Sequence, residues 1–223
     1  MAGAGKACRV TCKCADIPFS FEPHRERAAD ETMIARYSAT AAEAPGDKIT
    51  AIYSKLSRHE AAHVVAAVAF GKTIDHVTLG EAQPHMAYRP LTGRNDIQAE
   101  ATIQLAGLTC DHPDGLRFGD VWHCVYAAQD GFVGLCDTCR ASRLFVLENP
   151  ERPIREHVAS VFDAFDMTAD IFRSPAWSGA LDALSAALER ETLLTGVAIA
   201  EIVRPFDLTK PLKSISPIWT NAS

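Results

Sequence analysis

Ser57-Arg58-His59-Glu60-Ala61-Ala62-His63 runs without a break into Val64-Val65-Ala66-Ala67-Val68-Ala69. A turn of α-helix takes 3.6 residues, so on a helix His59 and His63 leave the same face and can converge on one ion. Glu60 is rotated around the axis. It can accept a proton from an ion-activated water without binding the ion, and this order of residues builds hydrolytic zinc sites. The flanks support a helix: Ile52, Tyr53, Leu56, His59, His63, Val64 and Ala67 recur at three- and four-residue steps. Ala61 to Ala69 contains only Ala, Val and His, the composition of a buried helix. The plain alternative is two hydrogen-bonded core histidines beside a surface glutamate. An unpaired carboxylate in so apolar a run is costly, which favours a use for Glu60.

The chain of 223 residues is long enough for one sizeable domain plus tails, and 48% hydrophobic residues can fill its core. A net charge of −6 argues against a nucleic-acid or anionic-membrane partner, which normally calls for a basic stripe. No run reaches the roughly eighteen apolar residues of a membrane span, and MAGAGKACRVTCKC lacks the apolar core of a signal peptide. The expectation is a soluble, cytoplasmic protein. Seven cysteines, an odd number in a chain of this size, fit reduced thiols better than a disulfide framework. Cys8, Cys12 and Cys14 cluster near the start, and Cys136-Asp137-Thr138-Cys139 is a lone CxxC. Its spacing suits thiolate ligands, and a second structural zinc there stays open without a matching pair. Cys110 and Cys124 fall in helical patterns and read as core fillers.

Residues 1–46, interrupted by Pro18, Pro23 and Pro45, read as an irregular N-terminal arm with a short helix around Asp30 to Tyr37. A helix capped by Asp47 runs to about Phe70, where Gly71 stops it. Thr73 to Leu79 and the run through Met86, Ala87 and Tyr88 read as two short strands. Further helices are expected over Asn95 to Cys110, Asp120 to Phe132, Ile154 to Phe172, Ala176 to Arg190 and Gly196 to Val203. The fold class is mainly α with one small β-sheet, over a domain at 47–204 followed by a C-terminal tail at 205–223.

A catalytic zinc takes three protein ligands and leaves one position for water, so a third ligand must follow His63. Candidates are His76, Glu81, His85, Glu100, Asp111, His112, Asp114, Asp120 and His123. Asp120 stands at the mouth of a helix whose inner face is expected to carry Trp122, Cys124, Val125 and Ala128, although an N-cap role is the commoner use of such a residue.

His59-Glu60-Ala61-Ala62-His63, with Asp75-His76-Val77-Thr78-Leu79 after it, resembles the peptidase domain of the FtsH-type ATP-dependent zinc metalloproteases. That family has a His-Glu-Ala-x-His helix, then a Val-Thr-Ile strand. Its Ala-Gly-x-x-Ala-Glu helix is matched by Ala106-Gly107-Leu108-Thr109-Cys110-Asp111, with the last two positions changed. Its Leu-x-x-Glu-Thr-Leu-x-x-x-Glu-Ile signature is similar to Leu188-Glu189-Arg190-Glu191-Thr192-Leu193 followed by Glu201-Ile202. The resemblance covers about residues 48 to 203. It implies a zincin-like helical metallopeptidase domain with zinc on His59, His63 and an aspartate opening a later helix. Gly119-Asp120-Val121 is the nearest match to that aspartate's setting, 57 residues after His63 and closer than is usual in the family.

The family's AAA+ ATPase module and membrane helices are absent from the sequence, and Gly3-Ala4-Gly5-Lys6 is not a P-loop. The expectation is therefore a peptidase domain standing alone, with Zn²⁺ as cofactor, Glu60 as general base and unfolded or flexible polypeptide as substrate. His85, Tyr88 and His123 are candidates for the oxyanion donor, and the strand edge at Asp75 to Leu79 for the peptide's docking site. A separate ATPase and an oligomer are compatible with this expectation. The alternative is a non-catalytic zinc-binding interaction protein with a peptidase-like fold.

Overall fold

The computed structural model describes residues 46–79, 85–89, 97–132, 134 and 136–209. The arm, its expected short helix, Cys8, Cys12, Cys14, Glu81 and the tail from 210 lie outside the described residues. The elements are α1 (Gly46–Ala69), β1 (Thr73–Thr78), β2 (His85–Arg89), α2 (Ile97–Asp111), α3 (Phe118–Gln129) and α4 (Asp137–Glu148). They continue as α5 (Ile154–Phe172), α6 (Pro175–Glu191), β3 (Leu193–Thr195) and α7 (Gly196–Val203). The described residues are mainly helical with one small antiparallel sheet, as expected from sequence.

The sheet has three strands where two were expected, in the order β2-β1-β3. β1 is central, pairing Ile74 with Tyr88 on one side and Val77 with Leu194 on the other. This corrects the expectation of a peptide-docking edge at Asp75 to Leu79, because the backbone groups of β1 are already engaged by β2 and β3. The third strand follows from how α6 ends. Thr192 adopts a left-handed φ of 54°, turning the chain out of the helix, and its carbonyl accepts the Leu79 amide at 2.8 Å. The Glu191-Thr192-Leu193 segment thus ties helix to sheet.

The core forms two clusters that share α2 and α5. In the first, the Ala and Val side chains of α1 pack with Ile74, Val77, Ile103, Ala106, Trp177, Leu184, Leu188 and Leu194. In the second, Ala101 and Leu105 of α2 meet Val121, Val125, Phe145, Val161 and Phe165. α2 is therefore a wall between them, buried on opposite faces, which explains why its apolar residues show little one-sided periodicity. Small residues along α1 let α2 and α6 approach it closely. The helix ends as the sequence suggests: Gly71 takes a positive φ of 72° and the Lys72 amide bonds back to the Ala67 carbonyl at 2.9 Å. At the other end of the chain, Leu208 is buried and its carbonyl accepts the Trp177 indole N–H at 2.8 Å, so residues past 204 still pack on the domain.

Two helices differ from expectation around the site. α3 starts at Phe118, which puts Asp120 in its first turn. Its inner face carries Val121, Cys124, Val125 and Ala127, while Trp122 is 37% exposed on the outer side. The second is α4, which was not expected at all and is opened by Asp137.

Candidate metal centre

α1 presents His59 and His63 one turn apart, with their rings edge to face and their Nε2 atoms 3.0 Å apart. Asp137, the first residue of α4, brings Oδ2 to 3.1 Å from His59 Nε2 and 3.5 Å from His63 Nε2. A tetrahedral zinc with bonds of about 2.0–2.1 Å separates its ligand atoms by about 3.3–3.4 Å, so this triangle is of the size such an ion would need. The donor set and the geometry fit.

The opposite ring nitrogens are fixed from behind. His63 Nδ1 lies 2.7 Å from the Ile103 carbonyl, which can only accept, so Nδ1 carries the proton. His59 Nδ1 lies 3.0 Å from Asp111 Oδ2 and donates to that carboxylate. Both contacts leave the Nε2 lone pairs for a metal, the orienting arrangement of histidine ligands generally. Both come from α2. Its Gly107 lets the ring lie flat against the helix, since a Cβ there would sit 2.5 Å from His59 Cε1 and Nε2.

The electrostatics suit a cation. Burial disfavours a charged imidazole at His59, yet Asp111 and Asp137 outweigh it and push the pKa up to about 10. His63 is also raised, with Asp137 overcoming burial and the repulsion of His59. Burial opposes ionisation of Asp137, but the two imidazoles hold its carboxyl well below the usual range. Asp111 is likewise lowered against burial by His59 and Lys55, the latter 3.4 Å from its Oδ1. Two imidazoles and a carboxylate now balanced by protons are what a divalent ion would take over. Glu60 is 7% exposed on the same helix, and its charge favours the protonated form of His63.

The structure brings His59 and His63 together, with Glu60 between them on the same helix. Asp120, the expected third ligand, is not in this group: the structure brings Asp137 to the histidines. The physical reason is the order of helices. α3 comes before the loop that leads to α4, and it is the first residue of α4 whose carboxylate reaches the histidines of α1. Asp137 follows His63 by 74 residues, where Asp120 follows it by 57. The signal for it was present: Asp137 is followed by buried Cys139, Ser142, Phe145 and Val146 at helical steps. The same segment carries the Cys136–Cys139 pair, whose spacing points first to thiol chemistry. Asp111 was weighed as a ligand and instead orients one. Tyr88, a candidate oxyanion donor, gives its hydroxyl to Glu100 Oε2 at 2.8 Å, and Lys72 pairs with the same glutamate.

No helix among the described residues is long and apolar enough to cross a membrane. A second group of candidate ligands consists of Cys124, Cys136 and Cys139. Compared with known proteins, the chain matches no protein-family model and no curated protein at a significant level.

Proposed function

We propose that this chain is a zinc-dependent metalloendopeptidase of zincin-like fold that hydrolyses peptide bonds in unfolded or flexible polypeptides. The observation that carries this reading is the convergence of His59 Nε2, His63 Nε2 and Asp137 Oδ2 on the helix turn that also bears Glu60. Two histidines and one carboxylate also serve ferrous oxygenases, but a glutamate between the histidines is what hydrolysis needs. When bound, zinc lowers the pKa of a water toward neutrality and polarises a carbonyl. Glu60 would serve as the proton carrier of the reaction, accepting a proton at a carboxylate oxygen and returning it to the leaving amine. Asp111 and the Ile103 carbonyl hold the imidazoles in the tautomer that exposes Nε2.

Among the described residues, β2 is paired on one side only, so an extended substrate has its outer edge available for strand addition. Substrates that fit this reading are segments already unfolded, or segments delivered by a separate ATPase. Glu60→Gln decides the reading. It should keep its zinc and lose cleavage of an unstructured protein by about a hundredfold or more. Equal cleavage by both proteins overturns the mechanism, and wild type that holds zinc yet cleaves nothing turns the chain into a zinc-binding interaction protein.

A further inference from the structure

Cys124 in the middle of α3, Cys136 at the N-cap of α4 and Cys139 in its first turn come together although two helices and a loop supply them. Their sulfurs all lie within 4.8 Å of one another, and Cys139 Sγ is 3.3 Å from Cys124 Sγ. A disulfide has sulfurs about 2.05 Å apart and uses thiols in pairs. Here Cys124 and Cys139 are farther apart than that, and a third sulfur shares the same place. A tetrahedral zinc with sulfurs at about 2.3 Å holds them about 3.8 Å apart, which lies within the observed range. Cys124 and Cys139 are buried at 1% and 5% exposure, and Cys136 is half-buried, so the group is sunk between the helices rather than spread over the surface.

We propose that Cys124, Cys136 and Cys139 form a second metal site that takes a soft divalent cation of the zinc class. Loading replaces three thiol protons, which leave to solvent, with one M²⁺, and the complex carries one net negative charge. That charge sits at the start of α4, where the helix macrodipole favours it. The three thiolates leave one tetrahedral position for a donor outside the cluster. The site is separate from the histidine centre in its ligands but not in its consequences. Cys136 and Cys139 bracket Asp137, so an ion there pins the first turn of α4 to α3 and fixes the carboxylate that faces His59 and His63.

The test uses the full chain, stripped of metal and titrated with Co²⁺, reading the sulfur-to-cobalt charge-transfer absorption in the near ultraviolet. The band should appear in wild type and persist in His59→Ala/His63→Ala, in Cys110→Ser and in a Cys8→Ser/Cys12→Ser/Cys14→Ser variant. Cys124→Ser, Cys136→Ser and Cys139→Ser should each lose it, together with one bound zinc per chain. If those variants fail to fold, alkylation mapping on wild type takes their place, and zinc should protect these three thiols. No charge-transfer band in wild type, a band that vanishes only in the Cys8/Cys12/Cys14 variant, or unprotected thiols would overturn the site while leaving the histidine centre untouched.

Discussion

His59 Nδ1 donates to Asp111 Oδ2 at 3.0 Å, and this bond turns the other ring nitrogen toward His63 and Asp137. A carboxylate behind a histidine ligand fixes its tautomer and raises its basicity. Asp111→Asn should therefore lower zinc affinity by about 10–100-fold, read by chelator competition. Unchanged affinity would show that Asp111 is only a surface partner of Lys55.

Gly107 is required by contact rather than by backbone conformation. Its α-carbon faces the His59 ring, and a methyl group there would meet the imidazole at 2.5 Å. Gly107→Ala should push His59 out of line and weaken zinc binding by at least about tenfold, while circular dichroism stays that of wild type. Full zinc affinity in this variant contradicts the placement of the ring.

The site predicts a pH dependence with a definite sign. In the metal-free protein His59 has a pKa raised to about 10, so the stability it contributes is complete below the unfolded value of about 6.5 and is lost as pH rises through 10. Asp137 is depressed, so its contribution is present above about 4 and is lost as pH falls. The metal-free fold should gain most from this pair between about pH 4 and 6.5. Zinc needs neutral imidazoles, so its uptake at pH 7 should release protons and its affinity should climb toward pH 10. Calorimetry in buffers of different ionisation enthalpy checks this, and zero protons released contradicts it.

How much of this was legible beforehand depends on the range over which each signal acts. α1 could be read because His59, His63 and the Ala and Val run repeat at helical steps along one local stretch. α5 and α7 were read with the ends the structure gives them. α4 carries its helical spacing across the Cys136–Cys139 pair, whose separation points to thiol chemistry before it points to a helix start. β3 is three residues long and owes its existence to pairing with β1 and the left-handed turn at Thr192, neither of which local sequence displays. The same holds for the third ligand. Asp120 and Asp137 both stand in the first turn of a helix, and only the packing of α4 against α2 and α3 selects between them.

Trp177 gives a separate check on the fold. It is fully buried, meets Phe172 edge to face with centroids 5.0 Å apart, and holds the Leu208 carbonyl. Trp177→Ala should cost about 3–5 kcal/mol in denaturant unfolding, because it opens a cavity and strands a buried carbonyl. A loss under about 1 kcal/mol would mean that this side chain is not part of the packed core.

The most direct measurement is zinc content per chain, relative to wild type, for His63→Ala, Asp137→Ala and Asp120→Ala prepared side by side. Asp137→Ala should lose one zinc as His63→Ala does, and Asp120→Ala should keep the wild-type content. Loss in Asp120→Ala with retention in Asp137→Ala would contradict the centre described here.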